Sequence, residues 1–379
     1  MSSKETSAGS VARIVPALLQ WFAANARDLP WRRTLDPYSI WVSEIMLQQT
    51  QVKTVIPYWE RWMRELPTIS SLARARPEKV LKLWEGLGYY TRVRNLQKAA
   101  QTIVSDPGGR FPTQFADILA LTGVGRYTAG AIASIAFNQV APILDGNVIR
   151  VLTRIFAIYA DPKQRHANVR LWGIAERFVQ EAAKHPLPPA PQPLTISGPC
   201  SALNQSLMEL GATVCTARQP RCGDCPVRNH CAARATHRVD SLPNLARRDA
   251  VTPRHFVAFV VQRDGRWLVR RRPAGVLNAH LWEFPNAEID NRASNVGEVA
   301  ISVLHAKPRS LQKLTAVKHS ITRYRILLEA YVVAGCRVSE RSDDARWLAL
   351  ADLEKLPFTS AHRKVLTALC GSTAQGVRN

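Results

Sequence analysis

Acidic side chains are scarce in this 379-residue chain: 29 Asp and Glu stand against 51 Lys and Arg, a formal charge of +22. A hydrated surface needs no such excess, and the usual partners of so basic a protein are nucleic acid or anionic lipid. No uninterrupted apolar run of ~18 residues exists, so nothing reads as a membrane span. No lipid-binding helix stands out either. The first ten residues, MSSKETSAGS, lack the apolar core of a signal peptide. Tandem repeats are absent. The seven cysteines are odd in number, with four crowded between 215 and 231. That pattern speaks against a secreted disulfide framework and for an intracellular ligand cluster. These absences leave nucleic acid as the expected partner, with no membrane role.

What is present divides in two. The length is too great for one ordinary core, and two domains follow. From Val11 to Ala232 apolar residues recur at helical spacing and β-branched alternation is rare. A proline-rich loop, Pro186 to Pro199, interrupts this half before a helix expected at Ser201 to Gly211. Thr236 to Pro253 is polar, basic and proline-punctuated, a linker. Beyond it, His255 to Val261 and Arg266 to Arg271 read as strands joined by the hairpin signal Asp264-Gly265. Lys318 to Val333 reads as a further strand, and His362 to Leu369 as a helix. The expected architecture is a mainly α first half joined by a linker to an α+β second half.

Cys215, Cys222, Cys225 and Cys231 are spaced C-x6-C-x2-C-x5-C. Four thiolates so close in sequence can wrap one compact soft-metal centre, as in a cubane iron–sulfur cluster. Structural zinc, which prefers two knuckles around a longer insert, is the second reading. Arg218 and Arg221, between the first two ligands, would present cations to DNA phosphates. Upstream, Leu121-Thr122-Gly123-Val124-Gly125-Arg126-Tyr127 joins two helical patterns. Its glycines allow positive φ and expose backbone N–H groups at a helix N-terminus, a phosphate cradle needing no side-chain charge. A similar turn, Gly86-Leu87-Gly88-Tyr89-Tyr90, precedes Arg92, Arg94 and Lys98, and its exposed apolar and aromatic tips suit wedging into a base stack. Glu44 lies among Trp41, Val42, Ile45, Met46 and Leu47. It is either a surface residue of an amphipathic helix or a carboxyl whose apolar setting keeps it protonated. Asp145 ends an apolar run before a helical pattern and reads as an N-cap.

The cysteine spacing resembles that of the endonuclease III superfamily, in which the glycine turn becomes a helix-hairpin-helix. Leu29-Pro30-Trp31-Arg32, Trp41 to Thr50 and Pro142 to Val148 are similar to adenine-DNA glycosylases. The resemblance implies a helix-hairpin-helix glycosylase of a six-helix barrel plus an iron–sulfur subdomain, residues 1–235, with one [4Fe-4S] cluster on the four cysteines. In lyase members the residue after Gly125-Arg126 is a lysine that forms a Schiff base; here it is Tyr127, which implies a monofunctional enzyme. By the same resemblance Glu44 protonates the departing adenine and Asp145 stabilises the positive sugar, with Tyr127 and Asn147 orienting Asp145 and water. The adenine pocket would take Trp31, Arg32, Leu47, Val52 and Glu209, while Gln49, Thr50, Leu87 and Tyr89 would fill the gap and touch the opposing base. The adenine must be flipped out to reach these groups. The implied partner of a monomeric enzyme is duplex DNA with adenine opposite 8-oxoguanine or guanine, in the bacterial cytoplasm or nucleoid. A glycosylase-lyase for oxidised pyrimidines and a non-catalytic iron–sulfur DNA-binding protein are the competing readings.

After a linker at 236–254, residues 255–371 resemble the Nudix-like domain of the same family, through Leu281-Trp282-Glu283-Phe284-Pro285, with a tail at 372–379. A working Nudix hydrolase needs a glutamate-rich helix next; Asn286 to Ala306 offers only Glu288, Asp290 and Glu298. The domain is therefore expected to recognise the oxidised guanine, with Arg270, Arg271 and Arg272 on phosphates. Where the family's sensing loop reads Phe-Ser-His, this chain has Ile321-Thr322-Arg323. Thr322 keeps a hydroxyl for the lesion, but the lost aromatic and imidazole imply weaker discrimination against undamaged guanine.

Overall fold

The computed structural model describes residues 8–189, 192–246, 250–290, 295–321, 323–338 and 344–376. Its helices before residue 236 are α1 (Ala8–Asn25), α2 (Pro37–Leu47), α3 (Val52–Glu65), α4 (Ile69–Arg74), α5 (Pro77–Leu83), α6 (Thr91–Ser105), α7 (Phe115–Ala120), α8 (Arg126–Phe137), α9 (Gly146–Ile155), α10 (Arg165–Ala182), α11 (Pro199–Thr213) and α12 (Ala232–Ala235). The chain forms two compact units, one of Met1–Arg74 with Asn95–Arg247, the other of Ala75–Arg94 with Arg248–Asn379.

The first unit is helical because its apolar residues fall three and four apart. Ile14, Leu18 and Phe22 of α1, Val151 and Ile155 of α9, Ile174 and Phe178 of α10, and Leu203, Leu207 and Leu210 of α11 meet in one core. Helix α2 differs, since every residue from Tyr38 to Met46 is buried. A helix apolar all round belongs inside, and that position removes Glu44 from the surface. Its start is specified locally: Asp36 accepts from Ser39 N at 2.9 Å and Ser39 Oγ at 2.6 Å, with Pro37 in the first turn. Small residues let α8 pack closely. A Cβ on Gly130 would sit 2.2 Å from the Pro142 carbonyl oxygen, so only glycine admits the strand of chain leading to Asp145.

In the second unit, β1 (Thr252–Arg263), β2 (Arg266–Arg271), β3 (Trp282–Glu283), β4 (Asn286–Ile289), β5 (Ser310–Ile321), β6 (Tyr324–Ala334) and β7 (Ala345–Ala349) form a mixed sheet in the order β3-β2-β1-β6-β5, with β4 on β1 and β7 on β2. Alternate residues of β1 face opposite cores. Ala258 and Val260 meet Phe284, Phe358 and Val365, while Val257, Phe259 and Val261 meet Ala300 and Leu304. Burial on both faces explains the unbroken apolar run. Helix α13 (Val296–Leu304) covers one face; α14 (Leu350–Lys355) and α15 (Ser360–Gly376) cover the other. The hairpin at Asp264-Gly265 forms as expected, whereas the single strand expected over Lys318 to Val333 is two antiparallel strands, with Ile321 opposite Tyr324. The first strand also begins inside the segment read as linker, at Thr252. Residues 75–94 join this unit through partly buried polar contacts: Glu85 Oε1 accepts from Phe358 N at 2.9 Å and Arg363 Nε at 2.8 Å. Arg94 donates to the Ala279 carbonyl at 2.9 Å.

Candidate active site and cysteine loop

Glu44 is 4% exposed. The Tyr127 hydroxyl, one residue into α8, donates to its Oε2 at 2.7 Å. Burial pushes the Glu44 carboxyl up to about 7 and the charge of Asp145 adds to the rise, against weaker pulls from the Tyr127 hydrogen bond and Arg32. At that value a large share of the carboxyls still carry a proton at neutral pH, the match to working pH that suits a general acid. Burial, with both carboxylates nearby, also raises the Tyr127 phenol well above its ordinary value, so it stays a donor. The expectation had Tyr127 orienting Asp145; its hydrogen bond goes to Glu44 instead.

Asp145 is the N-cap of α9, accepting from Val148 N at 2.7 Å, while its other oxygen accepts from Asn147 Nδ2 at 2.9 Å. Asn147 Oδ1 in turn accepts from Arg150 at 2.8 Å, and Arg150 donates to the carbonyls of Gly211 and Cys215, each at 2.8 Å. Arg150 and Gly211 were not singled out from sequence. A Cβ on Gly211 would lie 2.6 Å from Asn147 Cβ and 3.1 Å from its backbone. Overpacking of that kind costs ~1–3 kcal/mol. Gly211→Ala is therefore expected to lower the melting temperature and, by displacing Asn147, to slow the chemical step; a normal single-turnover rate would show that Asn147 is not held by this contact.

Two of the remaining pocket candidates, Arg32 and Glu209, form a buried polar network. Glu209, 1% exposed, pairs with Arg27 at 2.5 Å and Arg32 at 3.0 Å, and Arg32 also donates to Gln205 at 3.0 Å. Burial pushes the Glu209 carboxyl up, but the two guanidiniums more than offset it and hold it below its usual value. Trp31 is buried against Trp59 in an edge-to-face pair. Leu47, Thr50 and Val52 are half-buried and Gln49 is exposed at the α2–α3 turn, where Gln49 takes a φ of +58°. Gln48, missed from sequence, ties this turn to α8 by donating to Thr128 Oγ1 at 3.4 Å. Leu87, expected as an exposed tip, is only 6% exposed; Tyr89, 47% exposed, is the tip. In the other glycine turn Gly123 has a φ of +79° and a Cβ there would meet Asn95 at 2.5 Å. Gly125, expected to share that freedom, has a φ of −96° and caps α8. The first N–H groups of α8, like those of any helix start, have no partner within the helix.

Cys215, Cys222, Cys225 and Cys231 are all half-buried and line one cavity with Val151, Arg154 and Leu210. Burial pushes the Cys225 thiol up to about 11, and the charges of the other three add to it. The donor set fits an iron–sulfur cluster: four thiols, all soft ligands, line one cavity. Among the described residues no three His, Cys, Asp or Glu converge tightly enough for a single metal ion. Arg154, 1% exposed, reaches Cys215 Sγ at 3.4 Å. Arg218 and Arg221 are exposed on the loop, Arg221 donating to the Thr213 carbonyl at 2.9 Å.

In the second unit the phosphate role expected of three arginines is not supported. Arg270 donates to the Val303 carbonyl, Arg271 pairs with Asp344 and Arg272 with Glu283, because neighbouring strands and turns supply acceptors. Glu288 pairs with Arg254. Thr322 lies outside the described residues.

Comparison with known proteins gives three family matches: HhH-GPD superfamily base excision DNA repair protein at 42–177, iron-sulfur binding domain of endonuclease III at 215–231, and NUDIX domain at 256–368. An adenine DNA glycosylase of Rattus norvegicus is 35% identical, over 92% of this chain and 76% of its own. One of Homo sapiens is 34% identical, over 94% and 73%. Among solved structures, a thermostable thymine-DNA glycosylase shares 26% identity with a TM-score of 0.51, covering 60% of this chain and 98% of its own. No helix among the described residues is long and apolar enough to cross a membrane.

Proposed function

The chain belongs to the adenine DNA glycosylase family, and on that premise we propose that its substrate is adenine mispaired with 8-oxoguanine or guanine in duplex DNA inside the cell. It is a base-excision glycosylase that acts on DNA and carries one [4Fe-4S] cluster. Cys215, Cys222, Cys225 and Cys231 would hold the cluster, which when bound supplies iron–thiolate bonds tying the ends of that loop together.

The observation that carries the residue roles is the buried carboxyl of Glu44, bonded by the Tyr127 hydroxyl, with its proton affinity raised by burial and by the charge of Asp145. Flipped adenine takes the Glu44 proton on a ring nitrogen, the C–N bond breaks, and its electron pair leaves with the base. Asp145, held by Val148 N and Asn147, faces the positive charge left on the sugar. Water adds to the sugar and its proton returns to Glu44. Tyr127 cannot form an imine, so the product is an abasic site without strand cleavage. Gln49, Thr50 and Tyr89 are the contacts to the opposing base and the gap.

The test is single-turnover excision on duplexes with A opposite 8-oxoguanine, G, C and T. Cleavage after alkali is expected for the first two, with no borohydride-trapped adduct. With Ile321 and Arg323 in place of an aromatic and an imidazole, the preference for 8-oxoguanine over G is expected to be smaller than in relatives with the full loop, since each good base-edge contact is worth ~1–3 kcal/mol. A cluster-loaded protein that leaves the 8-oxoguanine duplex intact would overturn the reading.

A further inference from the structure

The turn from Gly86 to Tyr90 is an unusual piece of backbone. Gly86, Gly88 and Tyr89 take φ values of +107°, +69° and +47°. The glycines tolerate this freely, but in tyrosine the left-handed conformation is strained and needs surrounding structure to impose it. Two side chains from either end of the turn do so. Trp84 Nε1 donates to the Gly88 carbonyl at 3.0 Å. Arg92, on the first turn of α6, donates from Nη2 to the carbonyls of Leu87 at 3.0 Å and Gly88 at 3.2 Å. Its guanidinium lies over the Trp84 ring, 5.2 Å from the centroid, and 5.8 Å from that of Tyr89. Leu87 is drawn inward while Tyr89 remains 47% exposed.

We propose that Arg92 is the positioning residue of this turn: braced on Trp84 and bonded to two successive carbonyls, it holds Tyr89 in the pose from which its ring enters the base stack. This rests on the reading of Tyr89 as a gap-filling contact. Wedging between bases works against unstacking, so a tip ordered beforehand loses less freedom on insertion than a loose glycine-rich turn. The guanidinium is also suited to the task by geometry. Its fork can serve adjacent carbonyls while its plane rests on an indole; lysine offers a point charge and no plane. Burial lowers the Arg92 pKa to about 10, which leaves it a cation at neutral pH.

The experiment is a cycle of Arg92→Met, Tyr89→Ser and the double variant in the full-length, cluster-loaded protein. Binding to a mispaired duplex and the rise in fluorescence of a 2-aminopurine placed beside the mispair are measured together. Each single change is expected to weaken binding and the fluorescence rise by about tenfold, the order of one lost base–aromatic stack. The double variant is expected to be no worse than the weaker single one, because both act through one tip. Arg92→Lys should fail to restore the signal, and Trp84→Phe, which removes one carbonyl bond, should show a partial loss. Those two carry the test should Arg92→Met not fold. Additive losses in the double variant would overturn the proposal in favour of an independent phosphate contact. An unchanged Tyr89→Ser would overturn it at its root, the gap-filling role, while leaving excision of adenine untouched.

Discussion

Glu44→Gln will bind the mispaired duplex and fail to excise adenine, with the single-turnover rate down by ~10²–10⁴-fold, the usual worth of a general acid. Glutamine has the size of glutamate and still accepts from the Tyr127 hydroxyl, so the change removes the proton source and little else. In the parent enzyme the rate should be level at acid pH and fall through about pH 7, where the buried carboxyl loses its proton. Stability gives an independent check with a definite sign. The carboxyl titrates near 4.5 when unfolded and about 7 when folded. Between those values the folded state binds more protons than the unfolded chain, so stability falls as pH rises through that window. Above it the loss amounts to about 3 kcal/mol. Glutamine does not titrate. The variant should therefore melt above the parent at pH ~8 and approach it at the acid end of the window. An active Glu44→Gln protein, or a melting difference independent of pH, would refute the buried-acid assignment.

Asp145→Asn separates two roles carried by one side chain. As the cap of α9 it accepts from Val148 N, and asparagine caps nearly as well as aspartate, so stability should move by about 0.5 kcal/mol or less. As the carboxylate proposed to face the sugar it has no substitute. Loss of charge where a cation develops is expected to slow excision by ~10²–10³-fold. Asp145 also raises the Glu44 pKa, so the alkaline limb of whatever activity survives should shift to lower pH. Asp145→Ala would add the loss of the cap, ~1 kcal/mol, to the same loss of rate. Thermal melts and single-turnover rates on both variants decide between the roles. Activity retained in Asp145→Asn would leave only the cap.

Motifs carried by neighbours along the chain were legible before any coordinates. Four thiols at C-x6-C-x2-C-x5-C, glycines beside a helix start, and Asp264-Gly265 between alternating strands each act over a few residues. Their meaning survives whatever the rest of the chain does. The apolar run around Glu44 was legible too, though only as an alternative between surface and interior. Burial of α2 on every side settled that. The β5–β6 hairpin was missed because Ile321-Thr322-Arg323 carries none of the glycine, asparagine or proline that usually marks a turn.

Sequence alone determined the residue types available for chemistry: an acid without a lysine partner at 127, a second carboxylate at a helix start, and four soft ligands. Which of them meet was decided only by tertiary packing. Tyr127 bonds Glu44 across 83 positions of chain, and Glu209 pairs with Arg27 across 182. Gly130 and Gly211 matter through the atoms pressed against them, which no local pattern encodes. Residues 75–94 fold with the second unit because Glu85 finds Phe358 and Arg363 there. Local propensity acts between neighbours in sequence, whereas burial, close approach and the resulting proton affinities belong to neighbours in space.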